Sequence, residues 1–171
     1  TLEEKDLLDK LKKKDIYVKK SYYDNLKLFL DLIGIPYLQC KEEADLLCNT
    51  LVLKNKVDLI MSDDMDILVG GAKHILRNFN INNNKILFYD INSIQKALEL
   101  TEEQWVNLCI LSGCDYCPRI PGVGVKNAYK FIQKNTLNEI FSILSYKAPS
   151  DYINKFNRSR ELFLKVIEND I

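Results

Sequence analysis

Long hydrophobic runs are missing from this chain of 171 residues. No apolar stretch approaches the ~20 residues that cross a bilayer, and no basic head leads into an apolar segment near the N-terminus. The expectation is a protein that is neither membrane-spanning nor secreted. Histidine occurs once, at His74, and the Cys114/Cys117 pair has no second CxxC beside it, so a tetrahedral zinc site lacks ligands. The five cysteines, Cys40, Cys48, Cys109, Cys114 and Cys117, are odd in number and lie mostly within apolar patterns. That suits reduced thiols better than a disulfide framework. Internal repeats and low-complexity linkers are also absent, because the run Asn80 to Asn84 is too short to count as either. An initiating methionine is missing as well: the chain opens at Thr1, and the expectation is a piece of something longer.

What is present is ordinary globular material, 47% hydrophobic and 28% charged, enough for one core and by default one domain. The net charge of zero conceals a gradient. Basic and acidic residues number 8 and 7 over residues 1–33, 7 and 11 over 34–114, and 9 and 6 over 115–171. An acidic middle is thus followed by a basic tail, and localised positive surface is what a phosphate-binding protein needs.

Helical periodicity marks residues 2–13, 20–33 and 41–54, the second closed by Gly34. Ile35 to Leu38 reads as a short strand and Val57 to Met61 as a buried one, which suggests a βαβ unit. His74 to Phe79 and Lys85 to Tyr89 read as a hairpin across the asparagine turn. The remainder reads as helices over about 91–99, 102–112, 123–134, 136–145 and 150–168, with a capping box at Thr101–Gln104.

Three groups of carboxylates interrupt these apolar segments: Glu43 with Asp45, Asp64 with Asp66, and Asp115 alone. Anions gathered in a water-poor pocket repel one another, so a hard divalent cation is their natural neutraliser. Each group also has a plain structural explanation. Glu43 and Asp45 open a helix, where either metal binding or complementing the helix dipole accounts for them. Asp64 and Asp66 follow a strand at the carboxyl edge of a sheet, where ligands gather and where an extended chain points both the same way; an Asp-rich helix cap over Ser62–Asp64 serves equally, and Asp63 is left to capping. Asp115 follows an apolar helix whose C-terminal dipole disfavours it, although a turn residue would look the same. Beyond it, Pro121-Gly122-Val123-Gly124-Val125-Lys126 forms a helix–hairpin–helix-like connector. Gly122 and Gly124 permit close approach, and the N–H groups opening the next helix can hold a phosphate oxygen. Lys126, Lys130 and Lys134 recur on one helical face, either a stripe that follows a duplex backbone or a solvated surface.

Taken in order, Gly34-Ile35-Pro36-Tyr37, Glu42-Glu43-Ala44-Asp45, Asp63-Asp64-Met65-Asp66, Cys109 to Tyr116 and Ile120 to Gly124 resemble the internal nuclease region of the flap endonuclease and XPG-type 5′ nuclease family. The resemblance covers roughly residues 25–145. It implies an α/β fold with a central mostly parallel sheet flanked by helices, a PIN-like nuclease core, followed by a helical DNA-binding region. The domain reading is 1–33 as N-terminal helices ending an arch, 34–114 as nuclease core and 115–171 as DNA-binding region, with the family's N-terminal nuclease segment absent from this chain. It further implies two Mg²⁺ or Mn²⁺ ions on Glu43, Asp45, Asp64, Asp66 and Asp115, and a K⁺ ion at the connector. The implied partners are DNA with a 5′ flap, nick or 5′ end and the missing segment of the same protein; a sliding clamp finds no support in the sequence. The implied activity is flap endonuclease or 5′–3′ exonuclease hydrolysis by two metals in replication and repair, with a nuclear or viral-replication location and no secretion. A non-catalytic duplex-binding module with vestigial carboxylates is the alternative. Two departures stand out: Asp45 occupies a position where many members carry Glu, and Arg119 one where a small hydroxyl residue is common.

Overall fold

The computed structural model describes residues 17–41 and 43–164. The helix expected over residues 2–13 lies outside them, as does the end of the one expected over 150–168. The chain divides into two compact units, residues 1–39 and 40–171.

The described part of the first unit is built on α1 (Lys20–Ile33). Gly34 closes it in the left-handed region at φ 73°, and the Ile35 N–H returns to the Leu30 carbonyl at 2.9 Å. This is the glycine stop expected from the sequence. The strand expected at Ile35 to Leu38 does not form, and the segment runs without regular structure. Pro36 removes one ladder donor, and the sheet among the described residues contains only three other strands. The βαβ unit anticipated there is therefore absent.

The second unit contains α2 (Ala44–Leu53), β1 (Ile60–Met61), a 3₁₀ turn (Asp66–Val69), β2 (His74–Asn80), β3 (Lys85–Asp90), and five helices: α3 (Ile91–Ala97), α4 (Glu102–Ser112), α5 (Val125–Lys134), α6 (Leu137–Leu144) and α7 (Tyr152–Phe163). The sheet runs β1-β2-β3 and is mixed. β1 lies parallel to β2 in the register Ile60↔Ile75, and β2 pairs antiparallel with β3 from His74↔Asp90 to Asn80↔Lys85. The hairpin is the one its asparagines predicted: Asn84 sits at φ 52°, and the side chains of Asn80 and Asn83 accept the N–H groups of Asn82 and Lys85 at 2.9 and 3.1 Å. β1 is shorter than the expected run, because Val57 and Leu59 remain exposed outside the ladder.

One apolar core joins the sheet to the helices. Ile75 from β2, Ile67 from the 3₁₀ turn, Ile110 and Leu111 from α4, Ile120 from the connector, Ile140 from α6 and Phe156 from α7 are all almost fully buried. α4 is its axis, burying Trp105, Val106, Leu108, Ile110 and Leu111 against α5 and α7. Its start is fixed by the expected capping box, Gln104 N–H to Thr101 Oγ1 at 3.2 Å and Thr101 N–H to Gln104 Oε1 at 3.0 Å.

Candidate functional site

The 3₁₀ turn begins at Asp66 and is anchored by its own apolar residues. Ile67, Leu68 and Val69 are buried, each stabilising the turn by ~1.5–3 kcal/mol of apolar transfer. Trp105 of α4 donates its indole N–H to the Leu68 carbonyl at 2.9 Å inside the core. Ahead of the turn, Asp64 Oδ1 accepts the Asp66 N–H at 2.9 Å, and Ser62 Oγ accepts the Asp64 N–H at 3.1 Å. The two aspartates therefore do not lie on an extended strand, as their spacing suggested. They form a side-chain-capped turn in which Asp64 orients the residue two places on. Asp63 does not cap either: its carboxylate accepts the Asn78 N–H of β2 at 2.7 Å.

Glu43 is the N-cap of α2 and Asp45 lies in the first turn, so the irregular entry lets both face one side. With Asp66, Asn49 and Tyr116 they line a small pocket of about 20 Å³. Asp115 sits in the turn after α4, whose ends Cys114 and Cys117 pair as an isolated β-bridge. A backbone N–H of Asp115 reaches the Asp66 carboxylate. The electrostatics report the same gathering. Burial first, then the charges of Asp64 and Glu43, push the Asp45 carboxyl above the usual carboxylate range. Burial, followed by Asp64, Asp115 and Asp45, does the same to Asp66, partly offset by the Asp115 N–H. Burial and then Glu43, Asp66, Asp45 and Asp115 push the Tyr116 phenol up.

Thus Glu43, Asp45 and Asp66 share one pocket, Asp115 adjoins it through the backbone, and Asp64 acts on it by charge and hydrogen bond. Among the described residues, the ion pair at Arg160–Glu103 involves none of the five. No three acidic, histidine or cysteine side chains converge closely enough to enclose an ion as they stand, again among the described residues. The donor set nonetheless fits a hard cation: all oxygen, mutually repelling, and in no ion pair with a base among the described residues. Asn49 adds a buried Oδ1 with no hydrogen-bond partner in the wall of the same pocket.

Three residues at this site were not legible from sequence. Asn49 reads as a polar residue within an apolar helix; its place depends on Gly70, where a Cβ would stand 1.8 Å from Asn49 Nδ2. Tyr116 passes for a core aromatic. Arg77 lies on β2, twelve residues from Met65, yet its guanidinium donates to Met65 Sδ and to the Asp63 carbonyl, holding the loop that presents Asp64. Nothing in the spacing of Asp63–Asp66 points to the strand that clamps this loop.

In the connector, Gly122 adopts φ 80° and Gly124 precedes α5 at φ −100°. Beyond each glycine and its two chain neighbours, no described protein atom lies within 4 Å of where a Cβ at either position would sit. The first N–H groups of α5 receive no side-chain cap. Two of the connector's carbonyls already serve the protein, Ile120 O accepting the Val123 N–H at 3.0 Å and Gly122 O accepting Asn127 Nδ2 at 2.8 Å. Lys126, Lys130 and Lys134 are all exposed, opposite the buried Ala128 and Ile132. The stripe is present as a surface feature.

This combination of a mixed sheet, helices on its flank and a carboxylate pocket beside a helical connector defines a PIN-like nuclease fold. The comparisons agree. A family profile described as the XPG I-region matches residues 34–115. Flap endonuclease 1 of Entamoeba histolytica is 38% identical over 167 residues, covering 94% of this chain and 44% of the relative. The solved flap endonuclease-1 from Methanococcus jannaschii superposes with TM-score 0.76 at 22% identity, over 99% of this chain and 53% of that one. Human GEN1, solved in complex with Holliday junction DNA, superposes with TM-score 0.68 at 29% identity, over 89% and 43%. Residues 34–115 thus match the XPG I-region, and the chain, similar to flap endonuclease 1 over 94% of its own length, spans less than half the length of the curated relative it matches.

Proposed function

We propose that this chain carries part of the active site of a structure-specific 5′ nuclease, one that hydrolyses DNA phosphodiesters at 5′ flaps, nicks or 5′ ends. The observation that carries this reading is the pocket shared by Glu43, Asp45 and Asp66, adjoined by Asp115 and uncompensated by any described base. The match to the XPG I-region and the similarity to flap endonuclease 1 support it, as does the DNA in the complex of human GEN1. Glu43, Asp45, Asp66 and Asp115 are the residues that hold two Mg²⁺ or Mn²⁺ ions, with Asp64 completing the set. Such ions, when bound, supply an activated water and neutralise charge on the phosphate. The chain's own residues fix orientation: the Asp115 backbone N–H favours the charged Asp66 carboxylate, and Asp64 and Arg77 hold the loop before it. The connector takes the duplex, its uncapped N–H groups meeting a phosphate oxygen and the lysine stripe following the backbone. A K⁺ ion at the connector has the carbonyl lone pairs of Ile120 and Gly122 that remain after their internal hydrogen bonds.

The test is cleavage of a 5′-flap substrate by the full-length protein with and without Mg²⁺. Asp64→Ala and Asp66→Asn should each abolish turnover while leaving flap binding in Ca²⁺ within a few-fold of the unsubstituted protein. Undiminished cleavage by Asp66→Asn would overturn the site assignment.

A further inference from the structure

Apart from the carboxylate pocket, the second unit holds a cleft of about 580 Å³ between the Cys114–Pro118 turn and one face of α7. The two spaces are neighbours, since Tyr116 and Leu162 line both. On α7 the cleft-facing positions are Lys155, Arg158, Ser159 and Leu162, the i, i+3, i+4, i+7 pattern of a single helical face. Tyr152, Phe156 and Phe163 enter the core from the same helix.

The cations of this helix are sorted. Arg160 is held at 2.7 Å by Glu103 of α4, an internal tie between helices. Lys155 and Arg158 are exposed, and no described carboxylate lies within ion-pair distance of either. Among the described residues of the cleft wall Asp115 is the one acidic residue, and it belongs to the carboxylate site. An open cleft with two unmatched cations, next to a pocket of unmatched anions, is what a phosphodiester chain requires. The phosphate at the anions is reached through bound cations, and the neighbouring phosphate needs protein cations directly.

We infer that Lys155 and Arg158 hold a backbone phosphate of the cut strand, one or two nucleotides from the phosphate that is cleaved. The inference rests on the nuclease reading of the carboxylate pocket and adds to it a contact outside the connector and its lysine stripe. Contact to phosphate carries no sequence information; its effect is to set the register of the strand over Asp66 and Asp115. The two residues are positioning residues for the reaction.

The experiment is a binding map in Ca²⁺ using the full-length protein and 5′-flap DNAs, each carrying one neutral methylphosphonate. The unsubstituted protein should lose about ten-fold in affinity when the phosphate opposite Lys155 and Arg158 is neutralised. The Lys155→Ala/Arg158→Ala variant should bind unmodified DNA at least ten-fold more weakly, ignore the methylphosphonate at that one position, and show a salt slope shallower by about 1–2. Arg160→Ala should leave the map unchanged. A double variant with full affinity and slope, or one weakened equally at every methylphosphonate position, overturns the inference; a shift only in Mg²⁺ affinity, meaning that the cations merely balance the acidic pocket, overturns it as well. Failure of the nuclease reading looks different: no flap substrate is cut by the unsubstituted protein in Mg²⁺.

Discussion

The indole N–H of Trp105 meets the carbonyl of Leu68 at 2.9 Å, and through that bond the central helix holds the turn on which Asp66 stands. Trp105→Phe keeps an aromatic ring but leaves a buried carbonyl unsatisfied. The expected cost is ~1–3 kcal/mol of stability, the penalty for an orphaned buried polar group. Chemical denaturation should show this cost. Because the loss falls on the turn beneath Asp66, Mn²⁺ titration followed by electron paramagnetic resonance should also show weaker metal binding. A destabilised protein with unchanged Mn²⁺ affinity would mean that the bond serves the core alone.

Burial first, then the charges of Asp64, Asp115 and Asp45, push the Asp66 carboxyl above the usual carboxylate range. A carboxyl whose folded pKa lies above its unfolded one detracts from stability wherever it is ionised, and lowering the pH through the folded value relieves the cost. Asp66→Asn should therefore raise the melting temperature of the metal-free protein at pH 7. In the unsubstituted protein Mg²⁺ should raise it instead, by ~1.4 kcal/mol of added stability at about ten times the dissociation constant, and the variant should lose that rise. A variant that melts lower than the parent without metal would remove the repulsion argument.

How much of this was legible in the sequence depended on whether the signal was local. The capping box at Thr101, the asparagine turn at 80–84, the Gly34 stop and the limits of α1 and α4 are written in neighbouring residues, and they appear where expected. The ordered acidic motifs contain Glu43, Asp45 and Asp66, which the fold brings to one pocket, but they do not encode its geometry. Asp64 and Asp66 form a capped turn, because the strand stops at Met61 and Asp64 finds the Asp66 N–H at short range. Asp63 bonds Asn78, fifteen residues distant, and no local pattern encodes that pairing. The strand expected at Ile35–Leu38 failed for a related reason: an apolar run becomes a strand only beside a partner. Arg77 and Asn49 were invisible because one acts across the sheet and the other depends on the missing side chain of Gly70.

Acid should expose a separate weakness at the junction of β3 and α3. Asp90 accepts the Ser93 N–H at 3.2 Å and the Ser93 hydroxyl at 2.9 Å, and these bonds, the N–H first, hold its carboxyl below the usual carboxylate range. A depressed folded pKa gives stability that is present above the unfolded value and lost as pH falls through the folded one. Asp90→Ala should thus melt below the unsubstituted protein at pH 7, and the two should converge once the solution is acid enough to protonate Asp90 in the folded state. A gap that persists in acid would show that the cap acts through shape and not through charge.

The two glycines of the connector should separate folding from DNA contact. Gly122 sits at φ 80°, which an L side chain adopts at a cost of ~1–2 kcal/mol, so Gly122→Ala should lower stability by about that amount. Gly124 sits at φ −100° in open space, where alanine strains nothing and touches nothing within the protein. Gly124→Ala should fold with an unchanged or slightly raised melting temperature. If a phosphate backbone approaches the α5 N-terminus as proposed, the added methyl group nevertheless meets it, and duplex affinity at fixed salt should fall by about ten-fold. Lys130→Ala, which removes a charge and leaves the contact surface open, should instead reduce the salt slope by about 1. Equal duplex affinity for Gly124→Ala and the parent protein would place the DNA elsewhere.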